Sequence, residues 1–171
     1  ASLIAVFAYS GGPKPLASHG LGEVTLLLFF GLLAVGGTYY AHGVSLSWSA
    51  LGYGTAAGLI SAAIMLVNNI RDIATDTPAG KHTLAVLLGD KSARALYKWL
   101  LVSAVIVHLL VSFNLGLVSF LPLLVTAPLS RSLIQQSQRL QGAELNQLLA
   151  NTAKLELFYC VLAGIVLVFM R

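Results

Sequence analysis

Residues 68–81 read Asn-Asn-Ile-Arg-Asp-Ile-Ala-Thr-Asp-Thr-Pro-Ala-Gly-Lys and follow directly on a long apolar run. Helical spacing of i, i+4 and i+8 puts Asn68, Asp72 and Asp76 on one face. Like charges four residues apart repel, and carboxylates at a helix C-terminus oppose the macrodipole. Pro78 ends such a helix just past Asp76, so both penalties apply here. A divalent cation would reverse them, because a face of oxygen ligands suits Mg²⁺ and the phosphates it carries. Asp72 and Asp76 are therefore expected to hold metal at a metal-diphosphate site. The competing reading is a solvated helix end.

The neighbours of the pair extend this reading. Asn68 and Asn69 can orient the carboxylates, ligate the metal or hydrogen-bond phosphate oxygens, and they can equally bond helix to helix. Arg71, Lys81 and His82 supply cationic donors, or are ordinary basic residues of a membrane loop. Lys81 is favoured because Gly80 lets the backbone turn and present it. Tyr9 and Lys14 flank Ser10-Gly11-Gly12-Pro13. Lys14 can reach phosphate with Tyr9 as a donor, or serve as an interfacial anchor, and the sequence leaves both open. Glu23 opens an apolar run, where an acid complements a helix dipole, and that structural role is preferred. His108, well inside an apolar run, is expected to be hydrogen-bonded between helices. Lys154 and Glu156 are assigned to the membrane border, Tyr39 and Tyr40 to an aromatic belt. No Walker loop, HExxH pair or nucleophile elbow occurs.

Those residues have to be positioned by membrane helices. The chain of 171 residues is 57% hydrophobic and only 9% charged, against about 25% charged in a soluble domain. Its mean hydropathy is +0.85. Spans are expected at about Val24 to Ala41, Trp48 to Val67, Leu96 to Phe113, Leu117 to Leu129 and Leu155 to Met170. Residues 1–9 look like the tail of a further helix, so the chain reads as a fragment that begins within one. Asp90 is the expected N-cap of the third span. Pro122 and Pro128 should kink or tilt the fourth, and residues 130–154 read as polar with helical character. Cys160 is the single cysteine, which excludes an intrachain disulfide.

The net charge of +4 does not indicate nucleic acid, because its distribution has another explanation. Lys14, Arg71, Lys81, Lys91, Arg94, Lys98, Arg131, Arg139 and Lys154 fall in alternate loops or at their borders. The loops around His42–Ser47 and Asn114–Gly116 carry no Lys or Arg. The positive-inside rule then places the carboxylate segment on the cytoplasmic face of a cytoplasmic (inner) membrane.

The segment from Asn68 to Gly89 resembles the second aspartate-rich motif of the intramembrane aromatic prenyltransferases. It is most similar to that of the 1,4-dihydroxy-2-naphthoate polyprenyltransferases of menaquinone synthesis. Residues 9–15 (Tyr-Ser-Gly-Gly-Pro-Lys-Pro), 20–23 (Gly-Leu-Gly-Glu), and 29–30 with 37–40 look like the same subgroup. The resemblance implies a nine-helix bundle around a cavity open to the cytoplasm and to lipid, with two aspartate-rich motifs binding Mg²⁺ and a polyprenyl diphosphate. Carried over by position, Asp72 and Asp76 would hold Mg²⁺ with Asn68 or Asn69 in support. Lys81 would contact diphosphate, and Tyr9 with Lys14 resembles a Tyr/Lys pair of the family. The family's first motif, an Asn-Asp-x-x-Asp pattern, is not found in these residues.

The expected fold class is an all-α, multi-pass transmembrane helix bundle. Residues 1–171 would be the C-terminal part of a single prenyltransferase domain whose N-terminal half is absent, and inactive alone. The expected reaction is Mg²⁺-dependent prenyl transfer to dihydroxynaphthoate, with release of diphosphate and CO₂, within the lipid bilayer. Two other readings stand beside it: a different aromatic acceptor (4-hydroxybenzoate, homogentisate or a tetrapyrrole), and a non-catalytic cation-binding transporter or scaffold.

Overall fold

The computed structural model describes residues 20–169. Five helices are long and apolar enough to cross a membrane. We number the helices α1 (Gly22–Ala41), α2 (Trp48–Arg71), α3 (Ile73–Asp76, a single turn), α4 (Leu84–Ser112), α5 (Leu121–Ser137) and α6 (Leu145–Phe169). No strand occurs among the described residues. The protein is an all-α, multi-pass membrane bundle, as its hydropathy led us to expect.

Helix α2 is the axis of the bundle, packed by α1, α4 and α6. Its side chains explain the position. Gly54, Ala56, Gly58, Ala62 and Ala63 are small and buried, so neighbouring backbones approach closely. In lipid, such close approach and interhelical hydrogen bonds drive association, because apolar burial there gains little. A Cβ on Gly58 would lie 2.8 Å from Gly31 Cα and 2.8 Å from the Leu27 carbonyl oxygen, so α1 and α2 meet backbone to backbone. At this crossing α1 widens into π-helical turns over Leu27–Leu33. Ser47 caps α2 by accepting from the Ala50 N–H at 3.1 Å.

Polar side chains lock the other helices. The Tyr97 and Thr152 hydroxyls are 2.8 Å apart between α4 and α6. His108 lies wholly buried on α4, 3.1 Å from the Tyr159 hydroxyl and 3.0 Å from the Ser119 carbonyl. Its expected role as a bond between helices is the one it takes. Arg94 donates to the Ser137 carbonyl, and to that of Leu140 at 3.0 Å, tying α4 to the α5–α6 connection. Large apolar side chains such as Phe30, Leu124, Val168 and Phe169 stay exposed, as lipid-facing residues do.

The boundaries differ from expectation in four places. Helix α4 begins at Leu84, where the Thr83 side chain accepts from the Val86 N–H at 3.4 Å. It breaks at Gly89 (φ 74°, ψ 160°), a backbone that only glycine adopts freely. Asp90, the expected cap, instead accepts from Arg94 Nε at 2.8 Å. The spans set at Leu129 and Leu155 are too short: α5 runs on to Ser137 and α6 starts at Leu145. Buried Ser130, Leu133 and Ser137 give that polar stretch a packed face, and Pro128 sits inside α5 without ending it. Finally, Glu156 is not a border residue but accepts from Ser61 in the α2–α6 contact.

Candidate functional site

Helix α2 does not continue to Asp76. It ends at Arg71, and Asp72 leaves the helical conformation at φ −94° and ψ 3° before the single turn of α3. The expected i, i+4, i+8 face is therefore broken between its members. Nor do the two carboxylates stand uncompensated, because each has its own cation.

The guanidinium of Arg71 grips Asp72 with two bonds, Nε to Oδ1 and Nη2 to Oδ2, both 2.8 Å. Nη2 also donates to Asn68 Oδ1 at 2.8 Å, and Nη1 to Asn146 Oδ1 at 2.6 Å. One planar fork thus gathers Asn68, Asp72 and the start of α6. The Arg71 fork holds the Asp72 carboxyl below the usual carboxylate range. Asp76 is 6% exposed although it belongs to a loop-like turn, and Lys81 Nζ donates to its Oδ1 at 2.7 Å. That hydrogen bond raises the Lys81 pKa above its ordinary value. Gly80 (φ 70°) turns the chain so that the Lys81 N–H also reaches the Asp76 carbonyl at 3.1 Å. His82 is exposed and adds no bond.

Asn69 faces elsewhere. Its Nδ2 donates to Glu23 Oε1 at 2.8 Å, with both side chains buried. Structure thus brings Asn68, Arg71 and Asp72 into one cluster and Asp76 with Lys81 into another on the same loop, while Asn69 pairs with α1. Tyr9 and Lys14 lie outside the described residues. Two pairings escaped the sequence reading. Asn146 carried no signal, being 75 residues from its partner in a polar stretch. Glu23 carried one: an acid placed directly before an apolar run had to find a partner or stay at the surface.

The donors in this loop are carboxylate and amide oxygens, the hard ligands that Mg²⁺ takes. Among the described residues no group of three or more His, Cys, Asp or Glu side chains converges. The donor set fits in kind, through Asp72 and Asp76.

Residues 1–158 match the model of the UbiA prenyltransferase family. The chain belongs to the UbiA prenyltransferase family. It is similar to the 1,4-dihydroxy-2-naphthoate octaprenyltransferase of Mycobacterium leprae, with 45% identity over 95 residues, covering 56% of this chain and 32% of that protein. The enzyme of the same name from Haemophilus influenzae is 34% identical over 163 residues, 94% of this chain and 53% of its own. The UbiA prenyltransferase domain-containing protein 1 homolog of Drosophila melanogaster is 32% identical over 159 residues, 91% and 42% respectively. The chain spans about a third to a half of the length of the curated bacterial relatives it matches. Family and fold agree, since five membrane-crossing helices carry the matched residues.

Proposed function

We propose that the gene product carrying this chain transfers a polyprenyl group from polyprenyl diphosphate to 1,4-dihydroxy-2-naphthoate, and that residues 1–171 are part of its single transmembrane domain. The carbon–oxygen bond to diphosphate breaks, a carbon–carbon bond forms at the ring carbon bearing the carboxylate, and CO₂ leaves. The observation that carries this reading is the loop between α2 and α4, where an Arg71–Asp72 pair and an Asp76–Lys81 pair follow one another past a helix end. The Haemophilus influenzae relative, which bears the name of that octaprenyltransferase, matches 94% of the chain and so takes in this loop.

Asp72 and Asp76 would hold Mg²⁺, which supplies positive charge to the departing diphosphate. Arg71 and Lys81, each resting on an aspartate, would take phosphate oxygens if those aspartates held the cation. Asn68 and Asn69 supply amide groups on the last turn of α2. Tyr9 and Lys14 are assigned to the substrate by the family resemblance. The apolar walls of the bundle keep water from the allylic cation. Basic residues clustered on this side support a loop at the cytoplasmic face of the inner membrane.

A second reading keeps the reaction but changes the ring. The relatives named UbiA prenyltransferase domain-containing protein 1 carry no acceptor in that name and match 88–91% of the chain, so another aromatic acceptor is the alternative. The transporter or scaffold reading has no such support.

The test uses the full-length gene product in nanodiscs with polyprenyl diphosphate, Mg²⁺ and 1,4-dihydroxy-2-naphthoate. Prenylated quinol and CO₂ are followed, with Asp72→Ala and Asp76→Ala alongside. Product that requires Mg²⁺ and disappears in both variants supports the reading. Product only with a different aromatic acceptor replaces the substrate, and turnover with none overturns the assignment.

A further inference from the structure

Glu23 is the most buried acidic residue among those described, at 4% exposure, and it carries no ion pair. Asp72, Asp76 and Asp90 each rest on a cation, whereas Glu23 has none among the described residues and takes the neutral Asn69 amide, 2.8 Å from its Oε1. Its second oxygen, Oε2, is closed off from solvent and has no side-chain or backbone partner among the described residues. A buried oxygen left like this weakens the fold, and apolar side chains at both positions 23 and 69 would pack there without that cost. The carboxyl is therefore a poor choice for stability, and its value has to be sought in what it holds.

What it holds is the turn that delivers the site. Asn69 is three residues before Asp72, on the last turn of α2. Because a carboxyl oxygen accepts the bond, the Asn69 amide must turn its nitrogen inward to Glu23. Its Oδ1 then points away and makes no hydrogen bond among the described residues. Asn68 offers no such oxygen, its Oδ1 being taken by Arg71. The same end of α1 also reaches the far side of the loop. A Cβ on Gly20 would lie 3.5 Å from the His82 carbonyl oxygen and 3.7 Å from the Leu84 nitrogen. The stretch from Gly20 to Glu23 thus touches both ends of the segment that carries Asp72, Asp76 and Lys81.

We propose that Glu23 is a positioning residue for the diphosphate site, fixing the Asn69 amide so that its oxygen, rather than its NH₂, is presented on the turn ending at Asp72. An outward oxygen addresses a cation or a ligand hydroxyl and would repel a phosphate oxygen. This assigns Asn69 to the cation or to a donor group of the substrate. The proposal rests on the site reading above and deepens it.

The test measures binding of farnesyl thiodiphosphate with Mg²⁺ by calorimetry, and thermal melting, in the full-length protein in nanodiscs. Glu23→Leu, which leaves the Asn69 amide unpaired, should melt somewhat lower than wild type while still folded at the assay temperature, and should bind the analogue about ten-fold more weakly. Glu23→Gln keeps an acceptor for Asn69 and should bind within about three-fold of wild type. Glu23→Leu combined with Asn69→Ala should bind no worse than Asn69→Ala alone, an interdependence that a packing role would not produce. Wild-type binding by Glu23→Leu would overturn the proposal, and so would a Glu23→Gln as impaired as Glu23→Leu, or fully additive losses. Asp72→Ala separates the two levels: if it too binds normally, the site reading itself falls and this one with it.

Discussion

Substituting Gly58 by alanine tests the claim that α1 and α2 are held by backbone contact. The added Cβ would meet Gly31 Cα and the Leu27 carbonyl oxygen, each at 2.8 Å, about 0.6 Å inside ordinary van der Waals contact. Both obstacles are backbone, so no side chain can rotate aside, and α1 has to move away bodily. Overpacking of this kind costs about 1–3 kcal/mol. Against it stands a gain of about 0.5–1 kcal/mol for replacing a helical glycine by alanine. The net expectation is a loss of about 1–2 kcal/mol, seen as a fall of several degrees in the melting temperature of the nanodisc-embedded protein. Gly164→Ala is the matched control, because a Cβ there meets nothing within 4 Å among the residues of this chain. It should leave the melting temperature unchanged or slightly higher. A Gly58→Ala protein that melts with the control would refute the reasoning.

Arg94→Ala removes a buried donor from the Ser137 and Leu140 carbonyls and should destabilise the protein by about 1–3 kcal/mol, measurable by thermal melting. Arg71→Lys replaces a planar fork by a point charge that cannot hold Asp72, Asn68 and Asn146 together, so amide exchange at the start of α6 should quicken. Because Asp72 sits below its ordinary pKa, the stability it contributes is present above about pH 4 and is lost as pH falls through its folded value. The melting gap between wild type and Asp72→Asn should close in acid. Lys81 is shifted upward, so its contribution is present below about pH 10.4 and is lost as pH rises through its folded value. The gap to Lys81→Met should close in strong alkali.

Hydropathy and charge placement sufficed for the class of fold, because a membrane helix writes its length directly into the chain. Its ends were harder. The stretch after Leu129 is polar in composition, yet Ser130, Leu133 and Ser137 recur at helical spacing and are buried, so the helix runs on where composition suggested an interruption. Thr83 and Asp90 are both good caps, and only the break at Gly89 shows how the chain uses each neighbourhood. At the site, the residue types were readable but their pairing was not. Asp72 and Asp76 stood out as an unpaired repulsive couple, whereas Arg71 and Lys81 neutralise them one by one. The Arg71–Asn146 and Asn69–Glu23 bonds join residues 75 and 46 positions apart, and no local pattern encodes them.

The widened turns of α1 have a consequence for the far end of that helix. Its contacts on α2 recur every four residues: Glu23 to Asn69, Leu27 to Gly58, Gly31 to Gly54 and Gly58, and Val35 to Gly54. In an α-helix a four-residue stripe overshoots a full turn by about 40° at each step and spirals off its neighbour. Turns closed by i→i+5 bonds hold roughly 4.4 residues, so the same step falls short by about 30°. Placing one kind of turn after the other cancels the drift and keeps the stripe straight along α2. Winding these same residues as an ordinary α-helix throughout would remove that cancellation. With Gly31 still seated on Gly54, Glu23 would then swing roughly a quarter turn off Asn69. The pitch of a largely exposed stretch, seated on α2 through Gly31, thereby sets the aim of a carboxyl at the loop of the aspartates.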